Sequence, residues 1–400
     1  MTAFAPINAA NLDLGRSAAR ALTEIRRRGA TSRADIAEAL DLSPGAVSTI
    51  SADLIERGLV RETGAESVPR TGRGRPRVAL EVNPQAAFFV GAKLNDQAIT
   101  VNIMDFSGEL LASETVAHAR NSLDTPALAH HLDLAINKSI ASIGLNRDAL
   151  SALGLGIPGY VELDTGHVLW SPLLKGAPVT LKAALEDRLR LPVFIDNDAN
   201  LATLAELWFG FGRTERNFLT VTVEHGVGLG VVIDGALFRG GRGLGSEFGH
   251  TKVQYEGALC RCGQRGCLEA YVADYALARE ASAALSAASD SVSERDALKM
   301  LAEAAEGGDE IARSIFVRAG RMLGLGVANL VNLFDPGMIV MTGARMKHHH
   351  LMAEAMTATL RQNMLRTGRT PLEPLVHRWG DELWARGAGA LAIGQLTSKS

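Results

Sequence analysis

GSEFGHTKVQYEGALCRCGQRGCLEAY, residues 245–271, holds all three cysteines of the chain, at positions 260, 262 and 267. A 400-residue chain that uses cysteine nowhere else is not using these three as small core residues. Cys-x-Cys-x4-Cys supplies three soft thiolates, and His250, a few residues earlier, supplies a nitrogen. His250, Cys260, Cys262 and Cys267 together form a Cys3His set of the kind that closes around a structural zinc ion. Gly263 and Gly266 permit the tight turns that bring the sulfurs around one ion. The plainer alternatives are free thiols, which oxidise readily when clustered, and a disulfide, which a reducing compartment disfavours.

Away from this stretch the composition is that of an ordinary globular protein, 47% hydrophobic with a net charge of −3. The length suggests two or three domains. No uninterrupted apolar run of about 18 residues occurs, and MTAFAPINAANLDLGR lacks a basic segment followed by an apolar one. Neither a membrane span nor a signal peptide is predicted, and the expected compartment is the cytoplasm. The charge is uneven. Residues 1–77 carry twelve arginines, no lysine and nine acids, so a basic head precedes an acidic body. Such a head suits a polyanion, although charge alone fits a solvated surface equally well.

SAARALTEIRRR (17–28) places Ala18, Leu22 and Ile25 at helical spacing and ends at Gly29. Ser32 opens a second helix with Ile36, Ala37 and Leu40 inward. Ser43 and Pro44, suited to the cap and first turn, open a third. Its inner face is Val47, Ile50, Leu54 and Ile55, which leaves Gly45, Ala46, Ser48, Thr49, Ser51 and Ala52 outward. The tight second-to-third connection predicts a helix-turn-helix. Small outward side chains let the third helix sit deep in a major groove, with Ser43, Ala46, Ser48, Thr49 and Ser51 as candidate DNA contacts. RTGRGRPRVAL (70–80) lies between predicted strands at 59–63 and 77–82 and reads as the wing of a winged helix. Arg73, Arg75 and Arg77 would then extend toward an A·T-rich minor groove. A helix bundle with no DNA role and a charged linker are the plainer readings of the two segments taken singly; their succession favours double-stranded DNA.

Strands and helices alternate through residues 84–400. AFFVGAKL, AITVNIMD and ELLASETV read as strands, followed by a helix at 125–143, the strand ALGLGIPG, a strand at 192–196 and a helix at 198–209. FLTVTV and VGLGVVID begin a second round, and long helices near 309–333, 351–365 and 382–396 close the chain. The expected organisation is a winged helix-turn-helix domain of α+β type (1–83) followed by an α/β body (84–400) in two similar lobes with a cleft between them. KHHH at 347–350 reads as a solvated loop before a helix.

The cysteine stretch, with its trailing Glu269, resembles the signature of the ROK family, which comprises sugar kinases and sugar-responsive repressors. The resemblance covers essentially the whole chain, and the head resembles the winged helix carried by the repressor branch. It implies an actin/hexokinase-like body and a sugar or sugar-phosphate effector. In PVFIDNDAN it implies that Asn197 and Asp198 bind sugar hydroxyls, Asp198 standing where the kinases have their base; Glu247, His250 and Glu269 match the other effector contacts. Carboxylates and an amide suit vicinal hydroxyls, and a histidine can bind metal through one nitrogen and a ligand through the other. The plain reading of Asp198 is a helix cap. In one departure, SPLL places Leu173 where many family members have Asn.

The family's kinases need two phosphate loops. Where the first resembles Gly-x-Asp-x-Gly-Gly-Thr, this chain has Lys93 for the Asp, Asn95 and Asp96 for the glycines and Gln97 for the Thr. In the second, Glu224 and His225 replace Gly-Thr, and Leu229 replaces a glycine. The expectation is a non-enzymatic transcriptional regulator, a repressor of carbohydrate genes, acting as a homodimer or homotetramer on a near-palindromic operator with A/T-rich flanks. A sugar kinase with a DNA-binding head, or a regulator controlled by a protein partner, are the alternatives.

Overall fold

The computed structural model describes residues 12–63, 78–119, 123–241, 243, 245–284, 293–365, 368, 371–378 and 382–397. The chain forms two compact units, residues 1–208 with 381–400, and residues 209–380.

The first unit opens with the head. Helix α1 (Arg16–Arg28) stops at Gly29, whose φ of 75° suits glycine. Strand β1 (Thr31–Ser32) leads into α2 (Arg33–Leu40), where Ser32 and Asp35 form a reciprocal capping box. Ser43 caps α3 (Pro44–Glu56) through the Ala46 N–H. Leu22, Ile25, Ile36, Val47 and Leu54 are buried and form the head's core. Strands β2 (Val60–Thr63) and β3 (Ala79–Val82) pair antiparallel, and β1 covers the other edge of β3. The two-residue β1 was not predicted. The wing tip, with Arg73, Arg75 and Arg77, lies outside the described residues.

A turn at Pro84–Ala86 joins the head to a sheet. Strands β4 (Phe88–Leu94), β5 (Ala98–Asp105) and β6 (Leu110–Ala117) form an antiparallel meander followed by α4 (Thr125–Ile143). After β7 (Leu150–Ile157) comes a small sheet of β8 (Tyr160–Glu162), β9 (His167–Trp170) and β10 (Val179–Thr180). Helix α5 (Leu181–Leu189), β11 (Val193–Asn197) and α6 (Asp198–Phe209) follow. The large sheet has the order β11-β7-β4-β5-β6, with β7 and β11 parallel to β4. Its central strands are apolar almost throughout because both faces are covered. The C-terminal helix Glu382–Thr397 lies so close to the sheet that a Cβ on Gly154 would sit 1.8 Å from the Ala388 carbonyl oxygen. Glycine is required there for the helix to pack.

The second unit repeats the plan. Strands β12 (Phe218–Val223), β13 (Val227–Ile233) and β14 (Ala236–Phe238) form the meander. Helices α7 (Glu269–Val272), α8 (Asp274–Ala284), α9 (Glu294–Glu306) and α10 (Glu310–Phe334) precede β15 (Met338–Thr342), α11 (Ala353–Asn363) and β16 (Leu375–Val376). The sheet order β14-β13-β12-β15-β16 again places two parallel strands after three antiparallel ones. Helix α10 is long and apolar enough to cross a membrane by length and composition, but Ala312, Phe316, Leu323 and Val327 are fully buried in this unit's core.

Candidate metal centre, effector residues and nucleotide loops

The cysteine loop is pinched by two isolated bridges, Lys252 to Cys267 and Leu259 to Arg265. Gly263 and Gly266 have φ of 84° and 78°, and a Cβ at Gly266 would meet the Gln254 carbonyl oxygen at 1.8 Å. The turn Phe248–His250 delivers the histidine. His250 Nδ1 lies 3.6 Å from Cys260 Sγ, Cys262 Sγ lies 3.7 Å from Cys267 Sγ, and all four donor atoms fall within 4.8 Å of one another. A tetrahedral ion with metal–sulfur bonds of about 2.3 Å and a metal–nitrogen bond of about 2.1 Å has donor–donor edges of about 3.6–3.8 Å. The four residues could therefore hold one metal ion. Lys252 Nζ, 2.9 Å from Cys267 Sγ and 2.6 Å from Gln264 Oε1, places a cation beside the thiolates. Burial pushes the Cys260 thiol up in the metal-free loop; coordination would reverse this.

In the first unit, Asn197 ends β11 and Asp198 begins α6. Asn197 Nδ2 donates to the Gly159 carbonyl at 2.8 Å, and its Oδ1 accepts from Ala199 N at 2.8 Å. Asp198 Oδ1 accepts from the same N–H at 2.9 Å. Asp196, buried behind them, accepts from Asn197 N and Asn200 Nδ2, both at 2.8 Å. The helix start is thus tied by three side chains, and Asp198 is not its sole cap. Leu173 packs onto the core of this unit.

In the second unit, the two His250 nitrogens have different neighbours. Nδ1 faces the cysteines, whereas Nε2 lies 4.0 Å from Glu247 Oε2. Glu269, at the start of α7, accepts from Val227 N at 3.3 Å through Oε2, and its Oε1 lies 3.5 Å from the Tyr275 hydroxyl. Burial pushes the Tyr275 phenol well above its ordinary range, so this hydroxyl remains a donor.

In each of the two loops that depart from the kinase pattern, backbone N–H groups already have side-chain acceptors. After β4, Asn95 Oδ1 accepts from Gln97 N at 3.0 Å and Ala98 N at 2.7 Å. Lys93 is buried with its ammonium 3.5 Å from the Trp384 ring centroid, a cation–π contact. In the second unit, Glu224 Oε1 accepts from Ala344 N at 2.9 Å. Asp274 Oδ1 receives Arg345 Nε at 2.9 Å and Nη2 at 2.5 Å, while Oδ2 lies 3.2 Å from His225 Nδ1. Leu229 is buried in the core. The KHHH segment is solvated only in part, at Lys347 and His350. His348 and His349 are half-buried within the turn Ala344–Leu351, and burial pushes His348 down to about 4. His350 Nε2 lies 3.2 Å from Glu306.

On α3, Ser43, Ser48 and Thr49 are exposed and Ala46 is half-exposed. Ser48 Oγ donates to the Pro44 carbonyl at 2.9 Å and Thr49 Oγ1 to that of Gly45 at 3.2 Å, leaving lone pairs for an outside donor. Ser51 corrects the outward assignment. It is 2% exposed, donates to the Ser48 carbonyl at 3.1 Å and accepts from Arg33 Nε at 2.9 Å. It tethers α2 to α3 and does not face a groove. Arg33, which the periodicity did not single out, also pairs with Glu62 at 2.7 Å.

The MarR family profile matches residues 12–74. A xylose repressor of Caldicellulosiruptor bescii is 29% identical over 374 residues, which cover 92% of each chain. The Escherichia coli K12 DNA-binding transcriptional dual regulator NagC is 31% identical over 369 residues, 92% of this chain and 89% of its own. The crystal structure of a ROK family transcriptional regulator, a homologue of the E. coli Mlc protein, superposes with a TM-score of 0.78 at 26% identity, covering 98% of this chain and 97% of that one. The ROK family profile matches residues 90–395, and the chain belongs to the ROK family.

Proposed function

We propose that this protein is a sugar-responsive DNA-binding transcriptional regulator, a repressor of carbohydrate genes, rather than a kinase. The observation that carries the reading is a MarR-type head joined to a ROK body in one chain, matched nearly end to end by regulators. The winged helix-turn-helix domain is residues 1–83 and the effector body residues 84–400. The head binds double-stranded DNA through Ser43, Ala46, Ser48 and Thr49 in the major groove and through Arg73, Arg75 and Arg77 in an A·T-rich flank. The effector is a sugar or sugar phosphate, with Asn197, Asp198, Glu247, His250 and Glu269 as its contacts. Zinc is the structural ion of His250, Cys260, Cys262 and Cys267, supplying a fixed charge that orients His250. The working form is a cytoplasmic homodimer or homotetramer on a near-palindromic operator.

The self-satisfied loops support the non-enzymatic reading. Phosphate oxygens need unoccupied N–H donors and a magnesium-holding acid. Here Gln97 and Ala98 in the first loop spend their N–H groups on Asn95, Val227 in the second spends its own on Glu269, and Lys93 takes the place of the acid. The test pairs ATP turnover with thermal-shift screening across D-xylose, D-glucose, N-acetylglucosamine and their 6- or 5-phosphates. A stabilising sugar without turnover is expected. Turnover would establish the kinase alternative. The absence of any stabilising sugar, with DNA binding intact, would favour control by a protein partner.

A further inference from the structure

At the junction of the head and the first lobe, one arginine leaves its own domain. Arg26 belongs to the run Arg26–Arg27–Arg28 at the end of α1. Arg27 and Arg28 both turn back to Glu24. The Arg26 guanidinium instead stacks between the rings of Phe106 and Trp208, with Cζ 4.8 Å from each centroid. Its Nε donates to the Phe106 carbonyl at 3.3 Å. Nη1 and Nη2 are buried and, among the described residues, lack a hydrogen-bond partner. Burial pushes the guanidinium down to about 9, opposed by the Asp105 charge, so it stays charged at neutral pH. Unpaired buried N–H groups cost stability, and the two aromatic faces return only part of it. A group kept on those terms acts through where it holds things.

Both faces of the clamp are rigidly founded. Phe106 stacks on Phe89, and its N–H donates at 3.0 Å to the carbonyl of Pro84, in the turn that joins head to lobe. On the head side, Asn83 holds the Gly58 carbonyl at 2.8 Å. Trp208 stands near the end of α6, ten residues and about 15 Å beyond Asp198. Helix α6 is seated directly on the backbone of the C-terminal helix: a Cβ on Gly387 would lie 1.9 Å from the Leu201 carbonyl oxygen.

We propose that Arg26 is a positioning residue: clamped between Phe106 and Trp208, it fixes the DNA-binding head to the far end of the helix whose near end carries Asn197 and Asp198. A ligand that displaces the start of α6 then turns the head, and the two binding events share one free energy. The coupling half rests on the effector reading above; the clamp itself does not.

The test uses the full chain and a duplex selected by the wild-type protein from a random-sequence pool, with D-xylose, D-glucose and N-acetylglucosamine as probes. In the wild type, an active sugar should change duplex affinity by about tenfold, the ordinary range of such couplings. Arg26→Ala and Trp208→Leu should reduce that factor to less than about twofold, Trp208→Phe should retain most of it, and sugar affinity without DNA should stay within about twofold throughout. Hydrogen exchange at residues 84–89 and 104–108 should rise in Arg26→Ala and Trp208→Leu. Full coupling in either variant, or loss of sugar affinity together with coupling, overturns the proposal. If no probe shifts the wild type, the effector reading fails instead, and hydrogen exchange alone decides the clamp: unchanged exchange refutes it, a local rise upholds it.

Discussion

Replacing Arg345 by Met should destabilise the second unit severely, and the size of the effect can be worked from one buried pair. The Arg345 and Asp274 side chains are 4% and 9% exposed. Removing the guanidinium leaves the Asp274 carboxylate, among the described residues, facing His225 alone. Stranding a buried charge in this way costs about 3–5 kcal/mol. His225 is 60% exposed and can turn and charge to compensate, so the lower end, about 3 kcal/mol, is expected. For a unit of this size that corresponds to a fall in Tm of roughly 6–12 °C. Adding Asp274→Asn should recover at least half, because the stranded charge goes with its partner. The pH dependence gives a second handle. Burial pushes the Asp274 carboxyl up, but the His225 hydrogen bond and the Arg345 charge outweigh it and hold the carboxyl below its ordinary value. A depressed folded-state value gives stability that is present above the unfolded value of about 3.9 and lost as the pH falls through the folded one. Arg345→Met weakens the depression, leaving only the His225 share of it, so its deficit should be full at pH 7 and shrink as the carboxyl protonates below about pH 5. Thermal unfolding between pH 4 and 8 measures both effects. A fall of less than about 2 °C at pH 7, or a deficit independent of pH, would refute the reasoning.

Protein purified without a metal-affinity column should carry one zinc per chain, and Cys260→Ser/Cys267→Ser should carry none; metal analysis showing zinc retained in the double variant removes the site. Asp198→Asn should abolish the thermal shift given by the active sugar while leaving zinc content and DNA affinity at wild-type values, because Asn197 and Asp196 still tie the start of α6. Arg73→Ala/Arg75→Ala should weaken DNA binding and flatten the dependence of log affinity on log salt by roughly one unit for each arginine withdrawn from the DNA. A slope equal to that of the wild type would place the wing off the DNA.

Long periodic elements were legible in the sequence to within a residue or two at each end. Helix α4 spans 125–143 as predicted because Asp124 caps it, Pro126 suits its first turn and Gly144 stops it. The doubled strand order was legible for the same reason, since each round begins with an apolar meander. The misreadings occur where tertiary contacts override local pattern. Ser51 lies four residues after Val47 and three before Leu54, on the inner stripe of α3, but its hydroxyl suggested an outward place. What seats it inside is Arg33, from a different helix. The KHHH run looked polar because composition cannot show that His348 packs near Phe316, with ring centroids 6.4 Å apart. The cluster of His250, Cys260, Cys262 and Cys267 was legible because the spacing is itself the constraint. Which of the two His250 nitrogens faces the cysteines was not, since that depends on the turn at Phe248–His250.

The substitutions in the two nucleotide loops also acquire a physical sense that motif comparison lacks. A loop shaped to bind phosphate exposes backbone N–H groups, and when no phosphate comes those groups still require acceptors. Asn95 supplies one from within the first loop, and Glu224, in the second, supplies a carboxylate to Ala344 in the turn after β15. Both stand where the kinases carry glycine, which has no side-chain acceptor, so the changes close the loops rather than merely disfigure them. On the proposed reading this closure serves the sensor. A regulator responds only while its effector remains bound and chemically unchanged, because the effector works by preferring one conformation over another. A phosphoryl donor in the same body would convert the sugar and release it, and the signal would decay at the rate of turnover. Closing the donor loops while Asn197, Asp198, Glu247 and His250 stay in place leaves binding without consumption.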